Sequence, residues 1–194
     1  MARAIIGKTN GVKERNRMAD FNQVLDPGNY KEGTINVVIE IPTGSNHKIE
    51  WDRKRACFML DRIEPIAFAK PCNYGFIPQT IDEDGDELDV LVVTDQPLTT
   101  GIYLTARVLG VMKFVDDGEV DDKIIAVVDD DRNNGDSIKT LEDLPKRWFE
   151  QVEFHFNHYK DLKKPGTTHV KGFFGLEDAQ KVIADSIERW NKKS

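Results

Sequence analysis

Side chains alternate between apolar and polar in several segments from residue 35 onward, which is the period of a β-strand. In "INVVIEIP", Val37, Ile39 and Ile41 share one face and Glu40 lies on the other. The run ends at Pro42, which cannot continue a central strand. After the turn "TGSN", the segment "HKIEWD" alternates again, and "ACFMLDRI" is predicted to be its hairpin partner. This part of the chain is therefore predicted to be rich in β-structure.

The longest alternating segment is "YLTARVLGVMKFV", which begins at Tyr103. Strict alternation puts Arg107 and Lys113 on one face and an apolar set on the other, namely Leu104, Ala106, Val108, Met112 and Phe114. Its predicted partner, "KIIAVV", follows the acidic loop "DDGEVDD". Several strands joined by short turns rich in Gly or Asp predict a small antiparallel barrel.

The C-terminal third of the chain has helical spacing instead. Trp148, Val152, Phe156 and Tyr159 recur at intervals of four, four and three after Pro145, which suits a first helical turn. A second helix is predicted to begin with "LEDA", because acidic residues occupy its first turn and lysines its end, as the helix dipole favours. Strands first and helices last indicate an α+β fold.

The length of the chain indicates a single domain. A chain of 194 residues can bury a sizeable core but is short for two domains. The first 20 residues have little periodicity and a basic bias, and Met18 opens a plausible natural start, "MADFNQVLDPG". We therefore predict an N-terminal extension or tail at residues 1–20 and one domain at residues 21–194.

The composition argues against nucleic acid and membrane as partners and against a disulfide-bonded fold. A net charge of −7 argues against binding to nucleic acid, because proteins that bind its phosphates carry a basic excess. No apolar stretch reaches the ~20 residues that span a bilayer, so no membrane partner is predicted. Cys57 and Cys72 are too few for a disulfide framework. We predict that they are small buried side chains in a cytoplasmic protein.

Six carboxylates lie within residues 82–89, in "DEDGDELDVLVV", directly before an apolar run typical of a buried strand. An EF-hand loop beginning at Asp82 requires Gly at its sixth position and Glu at its twelfth, where this chain has Glu87 and Val93. Two interpretations of this segment remain, a solvated acidic turn and a metal site. Asp89 favours the metal site, because a carboxylate beside a buried strand is costly unless it is paired or binds a metal.

A turn at Gly85 would bring Asp84, Asp86 and Asp89 together, since glycine permits the backbone conformation that such a turn needs. Three converging carboxylates suit Mg²⁺ better than Zn²⁺, and Mg²⁺ sites commonly add water and substrate phosphate. Cationic residues that could bind a polyanion occur along the chain, although each alone is typical of a surface charge: Lys48, Arg62, Lys123 and Lys160. The sequence thus indicates a phosphate substrate.

Five motifs in succession resemble one enzyme family. They are "VVIEIP", "KPCNYGFIP", "DEDGDELDVLV" with its D-x-D-x-x-D-V pattern, "GVMKFVDDGEVDDKIIAV" and "HFNHYKDL". Over residues 35–190 this succession resembles the soluble family I inorganic pyrophosphatases of the bacterial type. The resemblance implies an OB-like five-stranded antiparallel β-barrel with flanking hairpins and two C-terminal helices. It also implies hydrolysis of pyrophosphate to two orthophosphates with several Mg²⁺ ions, by a homohexamer whose catalytic domain is residues 21–194.

The resemblance also implies the metal ligands at matching positions. One Mg²⁺ would be held by Asp84, Asp89 and Asp121, and Asp89 would also serve a second. Metals that arrive with the substrate are implied at Asp116 and Asp121. A further metal and its waters are implied beside the acidic residues Glu40 and Glu50.

The remaining implied roles concern the reaction itself. Asp86 matches the general base that takes a proton from a metal-bridged nucleophilic water, and Tyr74 matches a polar group near that water. Phosphate binding is implied for five residues that include a second tyrosine: Lys48, Arg62, Lys123, Tyr159 and Lys160.

The chain departs from the family at one position. Bacterial members carry Tyr just before the proline of "PCNYG", where this chain has Lys70. A cation there could contact phosphate or be exposed to solvent, and the sequence leaves both interpretations open. His155 and His158 are spaced i, i+3, and we interpret them as surface or packed residues because HExxH is absent.

The sequence leaves two other functions as alternatives. A noncatalytic OB-fold module for nucleic acid would explain the barrel but should carry a basic groove with stacking aromatic residues. A noncatalytic binder of divalent cations would explain the aspartates but would leave Lys48, Arg62 and Lys160 without a role.

Overall fold

The alternating segments form β-strands, and five of them close into a barrel. The computed structural model describes residues 20–133 and 135–193, so the predicted start at Met18 and nearly all of the predicted extension lie outside the described residues. The strands are β1 (Thr34–Ile41), β2 (His47–Asp52), β3 (Cys57–Ile63), β4 (Asn73–Phe76), β5 (Asp89–Val93), β6 (Tyr103–Asp116), β7 (Glu119–Val120), β8 (Lys123–Val128) and β9 (Thr168–Phe174). The α-helices are α1 (Phe21–Val24), α2 (Lys146–His158) and α3 (Leu176–Lys193).

The barrel has the strand order β1, β4, β5, β8, β6, and β6 pairs back with β1 to close it. Its pairs are antiparallel except for β5 and β8, which run parallel. This parallel pair is possible because the connection between the two strands includes β6 and is long enough to return the chain to the same end. The β2–β3 hairpin forms a separate sheet, and β7 and β9 pair with β6. The predicted OB-like α+β barrel is confirmed, with one parallel pair where antiparallel pairing was expected.

A β-bulge corrects the predicted faces of β6. The register with β8 shifts between Val108 and Gly110, so one extra residue turns every later side chain to the opposite face. Ala106 and Val108 therefore pack in one core cluster, whereas Met112 and Phe114 pack in another. Glycine is required at the bulge, because a Cβ on Gly110 would lie 2.2 Å from a carbonyl oxygen of β9.

A second register shift corrects the end of β1. It lies between Ile39 and Ile41, so these two side chains enter different core clusters instead of sharing one face. Strict alternation also puts Val38 on the side of Glu40. The structure agrees, because Val38 packs against Trp51 and Glu40 bonds to the backbone of the same tryptophan.

The two predicted C-terminal helices are confirmed. α2 begins directly after Pro145 and buries Val152 and Phe156, and α3 buries an apolar stripe against the barrel. The strand β9 was not predicted, because Gly172, with a φ of 140°, interrupts its alternation. Within the described ranges, no helix is both long and apolar enough to cross a membrane.

Two large clusters of buried apolar side chains form the core. The first packs against α3, and the second packs against α2. Cys72 lies buried in the second cluster, as predicted, whereas Cys57 is only partly buried, and both thiols are free.

Alternation along β5 and β8 places two polar side chains side by side. On β5, Asp89 has the same parity as Leu91, and on β8, Lys123 has the same parity as Ile125; both apolar residues belong to the second core cluster. Asp89 lies directly opposite Lys123 because the two strands are in register. The fold thereby holds a carboxylate beside an ammonium on the face that packs toward α2.

Candidate active site

Every residue to which the sequence assigned a role lines one cavity of about 790 Å³. Its walls include the β2–β3 hairpin, the first residues of β5 and β8, and the segment at the end of α2. The set contains seven carboxylates, four cationic side chains and two tyrosines: Glu40, Lys48, Glu50, Arg62, Tyr74, Asp84, Asp86, Asp89, Asp116, Asp121, Lys123, Tyr159 and Lys160.

Lys123 lies at the centre of these carboxylates. Its Nζ donates hydrogen bonds to Asp89 and Asp121, and the Tyr74 hydroxyl donates to the same Oδ2 of Asp89. The loop after β7 positions Asp121, whose backbone N–H donates to the carbonyl of Phe114 at 3.0 Å. Lys123 is only 2% exposed, so its positive charge is balanced by these two carboxylates rather than by water.

Burial and charge act in opposite directions on the pKa values of this centre. Burial raises the pKa of Asp89, but the ammonium groups of Lys123 and Lys48 outweigh it and hold that pKa below its ordinary value. Burial lowers the pKa of Lys123, and Asp89 and Asp121 more than reverse this. Burial, with the charge of Asp89 next, raises the pKa of Tyr74. The centre is therefore an ionised Asp89 and Lys123 beside a protonated tyrosine.

The loop at residues 82–86 presents Asp84 and Asp86 to the cavity. Gly85 has a φ of 94°, which agrees with the predicted turn. The loop is closed by backbone hydrogen bonds from Asp82 N–H to Asp86 O at 2.7 Å and from Gly85 N–H to Asp82 O at 3.1 Å. Burial raises the pKa of Asp86, and the negative charges of Asp84 and Glu87 raise it further. A raised pKa makes this carboxylate a better proton acceptor.

Asp116, at the end of β6, faces the residues that follow α2. The Tyr159 hydroxyl donates to its Oδ2 at 2.8 Å, and Lys160 Nζ donates to its Oδ1. Lys160 Nζ also lies 3.2 Å from a carboxylate oxygen of Asp117. Burial, followed by the charge of Asp116, raises the pKa of Tyr159. Tyr159 and Lys160 are therefore hydrogen-bond donors on this side of the cavity.

The hairpin and β1 form the opposite wall. Lys48 Nζ lies 3.2 Å from Glu50 Oε1, and Arg62 pairs with Glu64. Glu40 is buried and accepts a hydrogen bond from a β2 backbone N–H at 2.7 Å. Burial raises the pKa of Glu40 to about 8, although Lys48 opposes this. A cation bound beside Glu40 would favour its ionised form.

The chemistry of these donors fits a divalent metal. Carboxylate oxygens are the ligands that Mg²⁺ and similar hard cations take, and six carboxylates at the predicted metal positions line the cavity. Within residues 20–133 and 135–193, no three acidic, histidine or cysteine side chains converge closely enough to hold a common ion. The predicted convergence of Asp84, Asp86 and Asp89 is therefore absent from this structure. Asp89 is instead bonded to Tyr74 and Lys123.

The cavity also contains residues that the sequence left unassigned. Glu87 is buried and binds Asn22 at 2.6 Å and Arg53 at 2.8 Å, so it anchors the base of the acidic loop. Its position inside an acidic run conceals this role from the sequence. Lys70 is half-buried rather than freely exposed, which removes one of the two interpretations that the sequence left open.

The histidines are packed or surface residues, as interpreted from the sequence. His155 is buried and stacks on Tyr159 with ring centroids 5.8 Å apart. Burial, together with the charge of Lys70, lowers the pKa of His155 to about 3, so the ring is neutral. His158 is partly exposed and bonds to Asp161 at 2.7 Å.

Comparison with known proteins leads to one family. A family model described as inorganic pyrophosphatase matches residues 37–191. The inorganic pyrophosphatase of Neisseria meningitidis serogroup B is 70% identical over 177 residues, which are 91% of this chain and 100% of that protein. The one from Haemophilus influenzae is 64% identical over 176 residues, with the same two coverages of 91% and 100%.

Solved structures agree in fold as well as in sequence. The crystal structure of an inorganic pyrophosphatase from Neisseria gonorrhoeae matches with a TM-score of 0.88 and 72% identity, covering 89% of this chain and 99% of that one. The structure from Thermus thermophilus matches with a TM-score of 0.80 and 34% identity, covering 86% and 97%. The barrel, the carboxylate-rich cavity and these relatives lead to one conclusion: the chain belongs to the inorganic pyrophosphatase family, whose enzymes hydrolyse pyrophosphate.

Proposed function

We propose that residues 21–194 form a catalytic domain that hydrolyses pyrophosphate to two orthophosphates with several Mg²⁺ ions. The observation that carries this proposal is the cavity that brings together the seven carboxylates and the four cationic side chains named from the sequence. Carboxylates alone would suit a cation binder and cationic groups alone an anion binder, whereas a complex of Mg²⁺ with pyrophosphate requires both. The two noncatalytic alternatives each leave half of the cavity without a role.

The carboxylates are divided among the metal positions. Asp84, Asp89 and Asp121 would hold one metal, and Asp89 would also serve a second. Asp116 and Asp121 would hold metals that arrive with the substrate, and a further metal would lie near Glu40 and Glu50. When bound, Mg²⁺ lowers the pKa of water and neutralises charge on phosphate oxygens.

Asp86 is the proposed general base. Three observations support this role: it lines the cavity, partial burial and its acidic neighbours raise its pKa, and the backbone hydrogen bonds of the loop fix its position. Tyr74 donates a hydrogen bond to Asp89 and so orients that carboxylate beside the site of attack. A base held in this way accepts the proton of the attacking water as the bond to phosphorus forms.

The cationic side of the cavity binds the substrate. Negative charge grows on the leaving phosphate as the bridging P–O bond breaks, and positioned donors stabilise it. The proposed donors come from the hairpin, from β8 and from the end of α2: Lys48, Arg62, Lys123, Tyr159 and Lys160. Each of them pairs with a carboxylate oxygen in this structure, which supports a role in binding an anionic oxygen.

The test of this function is orthophosphate release. The purified protein is expected to release orthophosphate from pyrophosphate in the presence of Mg²⁺ and to lose this activity in EDTA. Folded protein that binds Mg²⁺ without releasing orthophosphate would instead be a noncatalytic cation binder. Tight filter binding of single-stranded nucleic acid without hydrolysis would favour the OB-fold binding module.

We propose further that the chain acts as a homohexamer in the cytoplasm. Large apolar side chains stand exposed on the hairpin, on the turn after it and on α2, including Ile63 at 62%, Ile66 at 75% and Phe154 at 63%. Such side chains are typical of surfaces that become covered by another subunit, and the free thiols suit a reducing compartment. Sedimentation equilibrium is expected to give six times the mass of the 22.1 kDa chain. A monomeric mass would contradict the hexamer, and activity confined to other cell fractions would contradict the location.

A further inference from the structure

Lys70 enters the cavity from the segment that joins the short 3₁₀ helix Ile66–Phe68 to β4. Its backbone N–H donates to the carbonyl of Ser45, and its own carbonyl accepts from the N–H of Gly44, both at 2.9 Å. These two bonds tie Lys70 to the turn between β1 and β2. The backbone position of Lys70 is therefore fixed by its hydrogen bonds to this turn.

Three aromatic rings hold the amine of Lys70. Nζ lies 4.5 Å from the ring centroid of Tyr74, 5.2 Å from that of Phe156 and 5.5 Å from that of Tyr159. Each distance is within the range of a cation–π interaction. Two of these rings belong to residues that the proposed mechanism places beside the substrate, so the amine is directed into the reaction space.

The amine has no anionic partner within the part of the chain that the structure describes: its Nζ makes no ion pair or hydrogen bond there. The other half-buried or buried lysines of the cavity differ, because Lys48 pairs with Glu50, Lys160 with Asp116, and Lys123 with two aspartates. The N–H groups of this partly buried ammonium are therefore available to donate hydrogen bonds to an anion that enters the cavity.

Positive charge is crowded around one ring. Besides Lys70, the ammonium groups of Lys48 and Lys123 lie 5.3 Å and 5.9 Å from the ring centroid of Tyr74. Burial, followed by the charges of Lys48 and Lys123, lowers the pKa of Lys70 to about 7, against the opposing charge of Asp89. The repulsion among these groups would be relieved by an anion bound between them.

We propose that Lys70 is a further substrate-binding residue, whose Nζ donates hydrogen bonds to a phosphate oxygen of pyrophosphate beside Tyr74 and between Lys48 and Lys123. This inference rests on the proposed function, which supplies the phosphate ligand. The aromatic rings hold the amine in place before the substrate arrives, so little side-chain freedom is lost on binding.

The test compares Lys70→Met with Lys70→Arg. Methionine keeps the length and apolar contacts of lysine but cannot donate, whereas arginine restores the charge. Lys31→Met is a matched control, because Lys31 lies over the ring of Tyr30 at 6.0 Å but is exposed and outside the cavity. For each variant, calorimetry with Mg²⁺ measures the Kd of methylenediphosphonate, a nonhydrolysable analogue, and steady-state assays give KM and kcat separately.

Lys70→Met is expected to raise the Kd of the analogue and the KM for pyrophosphate by about tenfold or more, as the loss of a charged hydrogen bond predicts. Lys70→Arg is expected to lose less affinity than Lys70→Met, because arginine keeps a charged donor, although its larger planar group fits the three rings less well. Lys31→Met is expected to stay within about threefold of the wild type. An unchanged Kd in folded Lys70→Met would overturn the inference, since a purely structural role lowers thermal stability without changing affinity. If Lys70→Met does not fold, Lys70→Gln replaces it. If the wild type binds the analogue but releases no orthophosphate, the proposed function is contradicted. The role of Lys70 is then decided by the Kd of the analogue for Lys70→Met compared with that for the wild type.

Discussion

Replacing Asp86 with asparagine is expected to lower kcat for pyrophosphate by about 10²- to 10⁴-fold, the usual contribution of a general base. Asparagine has the shape of aspartate but cannot accept the proton of the attacking water. The loop should keep its conformation, because Asp86 is tied by its backbone to Asp82 at 2.7 Å and to Asp84 at 3.0 Å. Orthophosphate release at saturating Mg²⁺ and substrate measures the effect, and KM should change little.

The control for this variant is Asp185→Asn. Asp185 is exposed on α3 and lies outside the cavity, so the change alters the net charge equally without affecting the site. It is expected to keep the kcat of the wild type. A kcat close to the wild-type value in Asp86→Asn would remove Asp86 from the role of base and leave the reaction to another proton acceptor.

Replacing Lys123 with methionine is expected to lower the free energy of unfolding in EDTA by about 3 kcal/mol, because Asp89 and Asp121 lose the buried cation that they share. Addition of Mg²⁺ should raise the melting temperature of this variant more than that of the wild type, since a metal then supplies the missing positive charge. Urea titration in EDTA and thermal denaturation with and without Mg²⁺ measure the two effects.

Lys113→Met provides the comparison for Lys123→Met. Lys113 also pairs with a buried aspartate, Asp122, at 2.6 Å, but that carboxylate keeps a hydrogen bond from the Phe114 N–H at 3.1 Å. Lys113→Met should therefore lower the free energy of unfolding by less, about 1 kcal/mol. It should not change the rise in melting temperature on addition of Mg²⁺. Equal losses in the two variants, with equal responses to Mg²⁺, would contradict the central position of Lys123 among the carboxylates that we propose as metal ligands.

Periodicity predicted the strands in which every second side chain is buried and the helices in which a side chain is buried every three or four residues. The hairpin, the barrel strands β6 and β8, and both C-terminal helices follow from it. It could not predict β4, whose four residues are all buried and show no alternation. It also missed the bulge at Gly110, because the shift there is imposed by the close approach of β9, which is far away in the sequence.

Some residues of the candidate site could be found from a local sequence pattern, whereas others depend on contacts between distant parts of the chain. Asp84, Asp86 and Asp89 attract notice because they lie within one short segment before a strand. The central place of Lys123 depends on its pairing opposite Asp89 in a parallel register, which no local pattern reveals. The roles of the other residues came from the family resemblance, and the significance of Lys70 required the three rings that surround it.

The parallel pairing of β5 with β8 has a consequence for the cost of completing the site. The hairpin and α2 consist of local contacts, which close at a low entropic cost, whereas Asp89 and Lys123 are 34 residues apart in the sequence. A chain in which β5 and β8 have not paired would carry the acidic loop without Lys123 beside it. We therefore expect metal and pyrophosphate, if they bind between these paired residues, to stabilise the completed barrel and not a chain that lacks the pair.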